Sequence, residues 1–261
     1  MKLALWQTHP RASIDTAMEA LMQAARIAAT QRADLLVTPE MFLGGYNIGA
    51  AQVAAHSDQA AATLDGLKAI AKAQGIALVA GLALPGTPCP HNACVAIDKT
   101  GQEIARYHKT HLFGEVDRAQ FTAGSDLSCV FDLAGWRVAL AICYDVEFPE
   151  LTRALALRGA QLIVCPTANM TPFDSVPTRL VPARAEENAV YLAYCNYIGA
   201  EAPFIYNGLS CVTGPDGNDL ARGTKVAEIL YATLDPAAPG VARQSQTHLT
   251  DRRPDLYGDL T

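Results

Sequence analysis

The chain has 261 residues, of which 50% are hydrophobic and 18% are charged, and its formal net charge is −6 at pH 7. This composition is typical of a globular enzyme and excludes a disordered or fibrous protein. A nucleic-acid-binding protein needs a basic surface to neutralise phosphates, so the acidic balance disfavours that class of partner. A chain of this length also buries a core large enough to fold without disulfides or a structural metal.

Cysteine usage and the N-terminal segment indicate the compartment. Seven cysteines without dense spacing do not form a disulfide framework, and five of them lie inside or beside apolar runs, as reduced core thiols do. These features favour a reducing cytosol. The N-terminal segment lacks the long apolar region of a signal peptide, and no apolar run is long enough to cross a membrane. We therefore predict a cytoplasmic protein that does not act at membranes.

Hydrophobic periodicity predicts alternating strands and helices at the start of the chain, followed by two pairs of strands. In chain order these elements are a strand over residues 2–8, a helix over residues 14–29 capped by Ser13, a strand over residues 34–38 closed by Pro39, a helix over residues 57–74 that stops at Gly75, a strand over residues 76–84, a pair of strands over residues 93–98 and 102–108, and a hairpin of residues 127–132 with 137–142.

The second half of the chain continues the alternation. Its predicted elements are a helix over residues 149–158, a strand over residues 162–165, a helix over residues 176–188, a strand over residues 191–196, and late strands over residues 209–213 and 228–234 around a turn at residues 214–217. Alternating helices and strands indicate an α/β fold, and the hairpins indicate mixed sheets. No repeat or linker divides the chain, so we expect one domain over residues 1–261. Its tail, residues 236–261, is expected to pack on the body or on a partner subunit.

Cys143 is a candidate nucleophile. It lies where an apolar strand ends, before a short polar turn and a helix that begins at Pro149. A nucleophile at such a turn projects at the end of the sheet, where a substrate can reach it. The nearby helix N-terminus is expected to favour the thiolate over the thiol. The alternative is a buried packing cysteine, which is the commoner role of this residue.

Two charged residues also follow apolar strands. Glu40 comes directly after Pro39, at the sheet edge where open α/β sheets bind ligands, and its apolar flanks are expected to raise the pKa of its carboxyl toward that of a general base. Lys109 ends another strand, where an ammonium can stabilise an oxyanion. Taken singly, each could be a surface charge. A histidine could also activate a thiol, but no feature marks one of the six histidines for that role.

Three separated motifs resemble those of the carbon–nitrogen hydrolase family, also called the nitrilase superfamily, in its amidase-type branch. They are Thr-Pro-Glu-Met-Phe around Glu40, His-Lys-Thr-His-Leu-Phe around Lys109, and Cys-Tyr-Asp-Val-Glu-Phe-Pro-Glu from Cys143. They occur in the family's order with similar gaps, and the likeness extends to about residue 235.

The resemblance implies a four-layer α-β-β-α sandwich with mixed sheets and a Glu–Lys–Cys triad. In that triad Glu40 is the general base, Lys109 the oxyanion stabiliser and Cys143 the nucleophile, and the backbone N–H of Tyr144 is a second oxyanion donor. Family members often carry another glutamate shortly after the lysine, for which Glu115 is the candidate; its alternative role is a loop carboxylate. The resemblance implies no cofactor, and it implies a homodimer or larger homo-oligomer assembled through the helices next to the nucleophile.

Two groups of residues could suggest a metal site. Cys89, His91 and Cys94 offer three ligands in a short span, but no second pair of ligands appears at a zinc-site spacing, so we predict a loop that enters a strand. His108 and His111 flank Lys109, and the resemblance makes them neighbours of the active site rather than ligands. We therefore expect no metal.

Residues beside the motifs are candidates for substrate binding, with ordinary core packing as the alternative. They are Tyr46, Phe113, Tyr144, Asn169, Met170 and Phe173. The set is largely apolar, which favours a small aliphatic or aromatic amide, although Arg179 or Arg184 could bind one carboxylate.

The sequence therefore predicts an amidase that converts a small carboxamide to a carboxylic acid and ammonia through a cysteine thioester. A nitrilase, an ω-amidase or an N-carbamoyl amide hydrolase with the same triad is the alternative within the family. A non-catalytic binding protein with this fold is the alternative of another class, although it would not need the intact triad.

Overall fold

The computed structural model describes residues 1–258, so residues 259–261 of the predicted tail lie outside the described part of the chain. Two six-stranded sheets account for most of the strands, and a separate two-stranded hairpin completes them. Within the described residues, no helix has the length and apolar character needed to span a membrane.

The first sheet combines parallel and antiparallel strands. Its strands are β1 (Lys2–Gln7), β2 (Leu35–Val37), β3 (Ala77–Leu84), β4 (His91–Ile97), β5 (Glu103–His108) and, from late in the chain, β14 (Glu228–Thr233). They lie in the order β14-β1-β2-β3-β4-β5. The neighbours β1, β2 and β3 run parallel and the remaining pairs run antiparallel. The short strand β2 therefore lies inside the sheet, and the residues after it emerge at the sheet's edge.

The second sheet also has a parallel centre. Its strands are β6 (Phe131–Leu133), β7 (Trp136–Leu140), β8 (Leu162–Pro166), β9 (Tyr191–Cys195), β12 (Cys211–Thr213) and β13 (Asp219–Arg222); the separate hairpin is β10 (Ile198–Glu201) with β11 (Phe204–Asn207). The order is β13-β12-β9-β8-β7-β6, with β7, β8 and β9 parallel and the other pairs antiparallel. The prediction of mixed sheets is confirmed.

Helices cover the outer faces of the two sheets. They are α1 (Ile14–Thr30), α2 (Ala50–Asp58), α3 (Ala60–Gln74), α4 (Gly114–Arg118), α5 (Pro149–Leu157), α6 (Val181–Asn188) and α7 (Ala238–Ser245), with shorter helical turns at Cys143–Glu147, Val176–Leu180, Thr247–Leu249 and Pro254–Leu256. Ser13 caps α1 as predicted, because its side chain accepts a hydrogen bond from the Thr16 N–H at 3.2 Å. Gly75 ends α3 in the left-handed conformation that suits glycine.

Three apolar cores hold these elements together in four layers. The central core lies between the sheets and contains Leu3 and Leu5 of β1 together with Val138 of β7. Ala4 points the opposite way, into the core that the first sheet forms with α1 and α3. Helices α5 and α6 pack against the outer face of the second sheet. Side chains alternate between the faces of a strand, so strands buried on both faces have continuous apolar runs. The protein is the predicted α-β-β-α sandwich.

Several element boundaries differ from the sequence-based prediction. The helix predicted over residues 57–74 corresponds to α3, whereas α2, which joins it at Gln59, was not predicted. Most of the run predicted as a strand over residues 127–132 is irregular, and only Phe131–Leu133 pairs. Strands β10, β11 and β13 and helix α4 were not predicted, because each has at most five residues and no regular apolar period.

The described part of the tail begins beside the central core, where Ala238 packs, and its later turns pack on the second helical layer. Its α7 buries Pro239, and Leu249 in a later turn contacts the core beneath α5 and α6. The side chains of His248 and Tyr257 line a groove together with Arg153 of α5. The tail therefore covers part of the surface next to the nucleophile's sheet, on the same chain.

Candidate active site

Three strand ends, from both sheets, supply the charged and nucleophilic residues of the site. Glu40 follows β2 by three residues and Lys109 follows β5 directly, whereas Cys143 follows β7 of the second sheet by three residues. The Glu40 N–H donates to the Thr167 carbonyl oxygen across the sheets at 3.3 Å, and the Ala168 N–H donates to Glu40 Oε2 at 2.9 Å. The site therefore forms where the edges of the two sheets meet.

The ammonium of Lys109 lies between two carboxylates. Its Nζ is 2.7 Å from Glu40 Oε1 and 2.7 Å from Asp117 Oδ2, and all three side chains are fully buried. Although burial by itself lowers the pKa of Lys109, the charges of Asp117 and Glu40 raise it well above its usual value. Lys109 is therefore a fixed cation, suited to stabilise a developing oxyanion.

Glu40 has the surroundings of a general base. Burial raises the pKa of its carboxyl, and Lys109 only partly opposes that shift. Asn92 of β4 donates to Glu40 Oε1 at 2.7 Å, so the carboxylate is held on one side by an amide and an ammonium and on the other by the Ala168 N–H. The predicted rise in the pKa of Glu40 is confirmed, and its cause is burial.

Cys143 lies on a strained backbone turn. Its φ is +47°, a left-handed conformation that non-glycine residues rarely adopt, and it begins the helical turn Cys143–Glu147. The residue is half-buried, whereas Cys94, Cys165, Cys195 and Cys211 are buried. Such a turn presents a nucleophile at the end of a strand.

The protonation state of Cys143 corrects one expectation. Burial, followed by the charge of Glu40, raises the pKa of its thiol well above the ordinary value, and Lys109 acts in the opposite direction. The predicted shift toward the thiolate is not found, because burial and the charge of Glu40 outweigh the influences that lower the pKa of Cys143. The thiol therefore needs a base, and the neighbouring carboxylate of Glu40 can serve as one.

Asp145 fixes this turn, although its role was not predicted from the sequence. Its buried carboxylate accepts hydrogen bonds from the Ile142 N–H at 3.0 Å, the Tyr107 hydroxyl at 2.9 Å and the His111 N–H at 2.9 Å. It thereby ties the residues around Cys143 to the segment that carries Lys109. The sequence feature that could have indicated this role is the position of Asp145, two residues after Cys143.

Glu115 does not enter the site. Its side chain is 95% exposed and lies 3.6 Å from Arg118, its neighbour on α4. Asp117 takes the place next to the lysine, and it also accepts hydrogen bonds from the Tyr46 hydroxyl and the Phe113 N–H. Residues 114–118 are helical rather than a loop, and side chains two positions apart on a helix point in opposite directions.

The histidines and cysteines of the two possible metal sites make contacts that do not resemble metal ligation. The ring of His91 stacks on that of His108 at 4.2 Å, whereas Cys94 is buried in the core between the sheets. His111 Nδ1 lies 2.9 Å from Asp145 Oδ1, and its ring stacks on Phe148. Among the residues that the structure describes, no group of three or more His, Cys, Asp or Glu side chains is placed to hold a metal ion.

A small cavity adjoins the nucleophile. All six predicted substrate-binding residues line it together with Cys143 and one residue that was not predicted, Glu147; the six are Tyr46, Phe113, Tyr144, Asn169, Met170 and Phe173. Arg179 is exposed, and Arg184 donates to the backbone oxygens of Val146 and Glu147 and pairs with Glu187 at 3.2 Å. Contact of the six residues with substrate stays a prediction.

Comparison with known proteins identifies the family. The family model described as carbon–nitrogen hydrolase matches residues 2–244. A protein of Pseudomonas protegens, described as a hydrolase in the pqqF 5′ region, is 43% identical over 265 residues, which cover 100% of this chain and 92% of that protein. A 2-oxoglutaramate amidase of Bacillus subtilis is 32% identical over 229 residues, which cover 87% of this chain and 88% of that protein.

Solved structures agree with this assignment. An amidase from Nesterenkonia sp. superposes with a TM-score of 0.91 at 36% identity, covering 100% of this chain and 96% of that chain. Other structures of that amidase contain acrylamide joined by Michael addition to its active-site cysteine, or butyramide bound to a variant that has alanine in place of a cysteine. The present chain belongs to the carbon–nitrogen hydrolase family, in the amidase-type branch of the nitrilase superfamily, and is a hydrolase of carbon–nitrogen bonds other than peptide bonds.

Proposed function

We propose that this enzyme is an amidase that hydrolyses a small carboxamide to a carboxylic acid and ammonia through a cysteine thioester. The observation that carries the proposal is the buried contact of Lys109 with Glu40 at 2.7 Å, at the sheet edge that also holds the thiol of Cys143. The adjoining cavity is small and narrow, which limits the substrate to a small molecule.

The first half of the reaction forms the thioester. Glu40 accepts the thiol proton as the sulfur of Cys143 attacks the amide carbon, and the Lys109 ammonium and the Tyr144 N–H bind the resulting oxyanion. When the tetrahedral intermediate collapses, the carbon–nitrogen bond breaks. Glu40 gives its proton to the leaving nitrogen, so ammonia departs and the acyl group stays on sulfur.

The second half releases the acid. A water molecule gives a proton to Glu40 as its oxygen attacks the thioester carbon, and the same two donors bind the second oxyanion. The carbon–sulfur bond then breaks, the acid leaves, and the proton returns from Glu40 to the sulfur of Cys143. One amide and one water give one acid and one ammonia, with no redox step.

Ammonia release from a panel of substrates tests the proposal. The panel contains aliphatic and aromatic amides, dicarboxylic monoamides, nitriles and N-carbamoyl amino acids, and Cys143→Ala is the control. We expect release from small amides and its loss in Cys143→Ala. Release from nitriles or carbamoyl compounds alone would keep the triad but replace the substrate class, and wild-type turnover in Cys143→Ala would refute the mechanism.

Covalent labelling gives a second measurement that is independent of substrate choice. We expect acrylamide to alkylate Cys143 of the wild type ahead of its other cysteines, and to alkylate it more slowly in Glu40→Gln, which lacks the base that takes the thiol proton; mass spectrometry of peptides identifies the adducts. The exposed Cys129 and the half-buried Cys89 are internal references for simple accessibility. Labelling of Cys129 ahead of Cys143 would contradict an activated nucleophile.

A further inference from the structure

The substrate cavity carries a negative charge that the reaction does not use. Glu147 lies four residues after the nucleophile, at the end of the helical turn that Cys143 begins, and both residues line the cavity. The side chain of Glu147 is half-buried. Within residues 1–258 its carboxylate makes no hydrogen bond and no ion pair. A partly desolvated carboxylate without a partner is a costly arrangement unless a ligand completes it.

The cations near Glu147 are already engaged by other carboxylates. Lys109 contacts both Glu40 and Asp117 at 2.7 Å. Arg184 pairs with Glu187, and its guanidinium also donates hydrogen bonds to the backbone oxygens of Val146 and Glu147. Even when Glu40 is protonated, two carboxylates, those of Asp117 and Glu147, remain beside the one ammonium of Lys109. The site is therefore electronegative.

The other walls of the cavity suit a cation as well. The Phe113 ring lies 5.3 Å from that of Tyr144 and 5.7 Å from that of Phe173, with both pairs in edge-on geometry. Aromatic faces attract ammonium groups, most strongly where water is excluded. None of the residues that line the cavity in the described part of the chain is a lysine, arginine or histidine. A carboxylate among aromatic rings is an arrangement that recognises an ammonium group.

We propose that Glu147 is a specificity-determining residue, and that it binds, with the rings of Phe113, Tyr144 and Phe173, an ammonium group of the substrate. The preferred substrates are then small amides that carry an amino group a few bonds from the amide, such as amides of small amino acids. Dicarboxylic monoamides are disfavoured, because their carboxylate meets Glu147 with no basic side chain in the lining. This inference rests on the proposed amidase function.

Two pairs of amides with matched shapes test the inference. β-Alaninamide has the shape of butyramide with an ammonium in place of the terminal methyl, and succinamate has the shape of isocaproamide with a carboxylate in place of the branched end. The kcat/KM of each is measured by ammonia release at a pH where the amine is protonated. We expect the wild type to prefer β-alaninamide over butyramide by about tenfold and to disfavour succinamate against isocaproamide by at least as much.

The matched variants are Glu147→Gln and Glu150→Gln. Glu150 is exposed on α5 and does not line the cavity, so Glu150→Gln makes the same change of charge outside the site. We expect Glu147→Gln to bring both ratios close to one and Glu150→Gln to leave them as in the wild type. Since each ratio compares two substrates on one variant, a general loss of activity cancels.

Two results would overturn the inference about Glu147 without contradicting the proposed amidase function. One is a wild type that hydrolyses butyramide as well as β-alaninamide, or that prefers succinamate to isocaproamide. The other is a pair of ratios that Glu147→Gln leaves unchanged. If the wild type hydrolyses none of the four amides, the proposed function fails and the inference fails with it, so the two failures are distinguishable.

Discussion

At the scale of single residues, Lys109 shows how strongly the site depends on complete charge pairing. A fully buried ammonium is stable only while both of its carboxylate partners, Glu40 and Asp117, are in place. Glu40 also has to exchange protons during the reaction, so Asp117 is the partner that keeps the lysine paired throughout. Asp117 is thus a positioning residue, which acts through Lys109.

We expect Asp117→Asn to reduce kcat/KM for the best amide by about a hundredfold, since even a small displacement of a catalytic group is costly. The free energy of unfolding should fall by about 3 kcal/mol, because the variant leaves a buried charge partly uncompensated. Steady-state kinetics and urea denaturation measure the two effects.

Glu115→Gln is the matched control, since it removes a carboxylate from the same short helix at an exposed position. Its kinetics and stability should equal those of the wild type. A larger loss of activity in Glu115→Gln than in Asp117→Asn would reverse the assignment of the two carboxylates.

The buried carboxyl of Glu40 also sets a pH dependence. Glu40 can take the thiol proton only when it is ionised, so kcat/KM rises with pH as its carboxyl loses its proton. Because burial raises the pKa of Glu40, the midpoint of this acid limb should lie above about 4.3, the usual value for a glutamate. The measurement is the pH profile of kcat/KM for butyramide, which is uncharged over the range, with circular dichroism to confirm that the protein stays folded. A constant rate down to about pH 4 would exclude a buried carboxyl as the base.

The proposed triad could be identified from the sequence because Glu40, Lys109 and Cys143 each follow an apolar strand and lie in three motifs that occur in the family's order; taken singly, none of the three was decisive. The choice between Glu115 and Asp117 was not, since it depends on a helix of five residues that carries no periodic signal. The direction of the pKa shift of the Cys143 thiol was also mispredicted. Its protonation depends on burial and on Glu40, and neither can be read from the residues around it.

At the scale of elements, the close approach of β3 to the segment after β2 positions Glu40. A Cβ on Gly81 would lie 2.4 Å from the backbone nitrogen of Met41 and 2.7 Å from the carbonyl oxygen of Pro39. The Leu43 N–H also donates to the Gly81 carbonyl oxygen at 3.0 Å. A glycine in a strand interior is therefore required here by the packing of backbone on backbone.

We expect Gly81→Ala to lower kcat/KM by about tenfold or more, because the segment that carries Glu40 must move. Stability should fall by about 1–3 kcal/mol, the usual cost of overpacking. Gly240→Ala in α7 is the control, since a Cβ there meets open space and alanine favours helix. Kinetics and thermal denaturation of both variants test the argument, and equal effects of the two substitutions would contradict it.

The long apolar elements were predicted well because periodicity is a property of the local sequence. The helix α1 and the buried strands β1, β3 and β8 lie close to their predicted positions. The hairpin of β10 and β11 was missed although it contributes to the site: Tyr206 donates to Glu201, which in turn accepts from the Tyr46 N–H. Its contacts are with distant segments, so the local pattern carries no sign of them.

At the scale of the whole molecule, assembly stays a prediction from the family resemblance. The second helical layer has apolar side chains at its surface: Leu157 of α5 is 49% exposed, and Leu256 and Tyr257 of the tail are also exposed. Exposed apolar residues that cluster together commonly mark interfaces between proteins. The predicted homo-oligomer would use this layer.

Light scattering after size-exclusion chromatography should give the mass of a dimer or larger assembly. Leu157→Asp should reduce that mass, since it places a charge in the proposed interface. Ile27→Asp on α1 is the matched control, because Ile27 is 48% exposed on the opposite helical layer. A monomer in the wild type, or equal effects of the two substitutions, would exclude assembly through this layer.

The sequence by itself determined the fold class and singled out Glu40, Lys109 and Cys143 as the proposed triad. Strands buried on both faces require continuous apolar runs, which can be read directly from the sequence. The three proposed catalytic residues follow such runs within short motifs, so they can be located from the sequence as well. The tertiary structure decided how these residues work. Glu40 and Lys109 are 69 residues apart and Glu40 and Ala168 are 128 apart, so pairing, burial and pKa arise only when the two sheets meet. The charge of the substrate cavity is decided in the same way, because it depends on which cations near Glu147 are already engaged by other carboxylates.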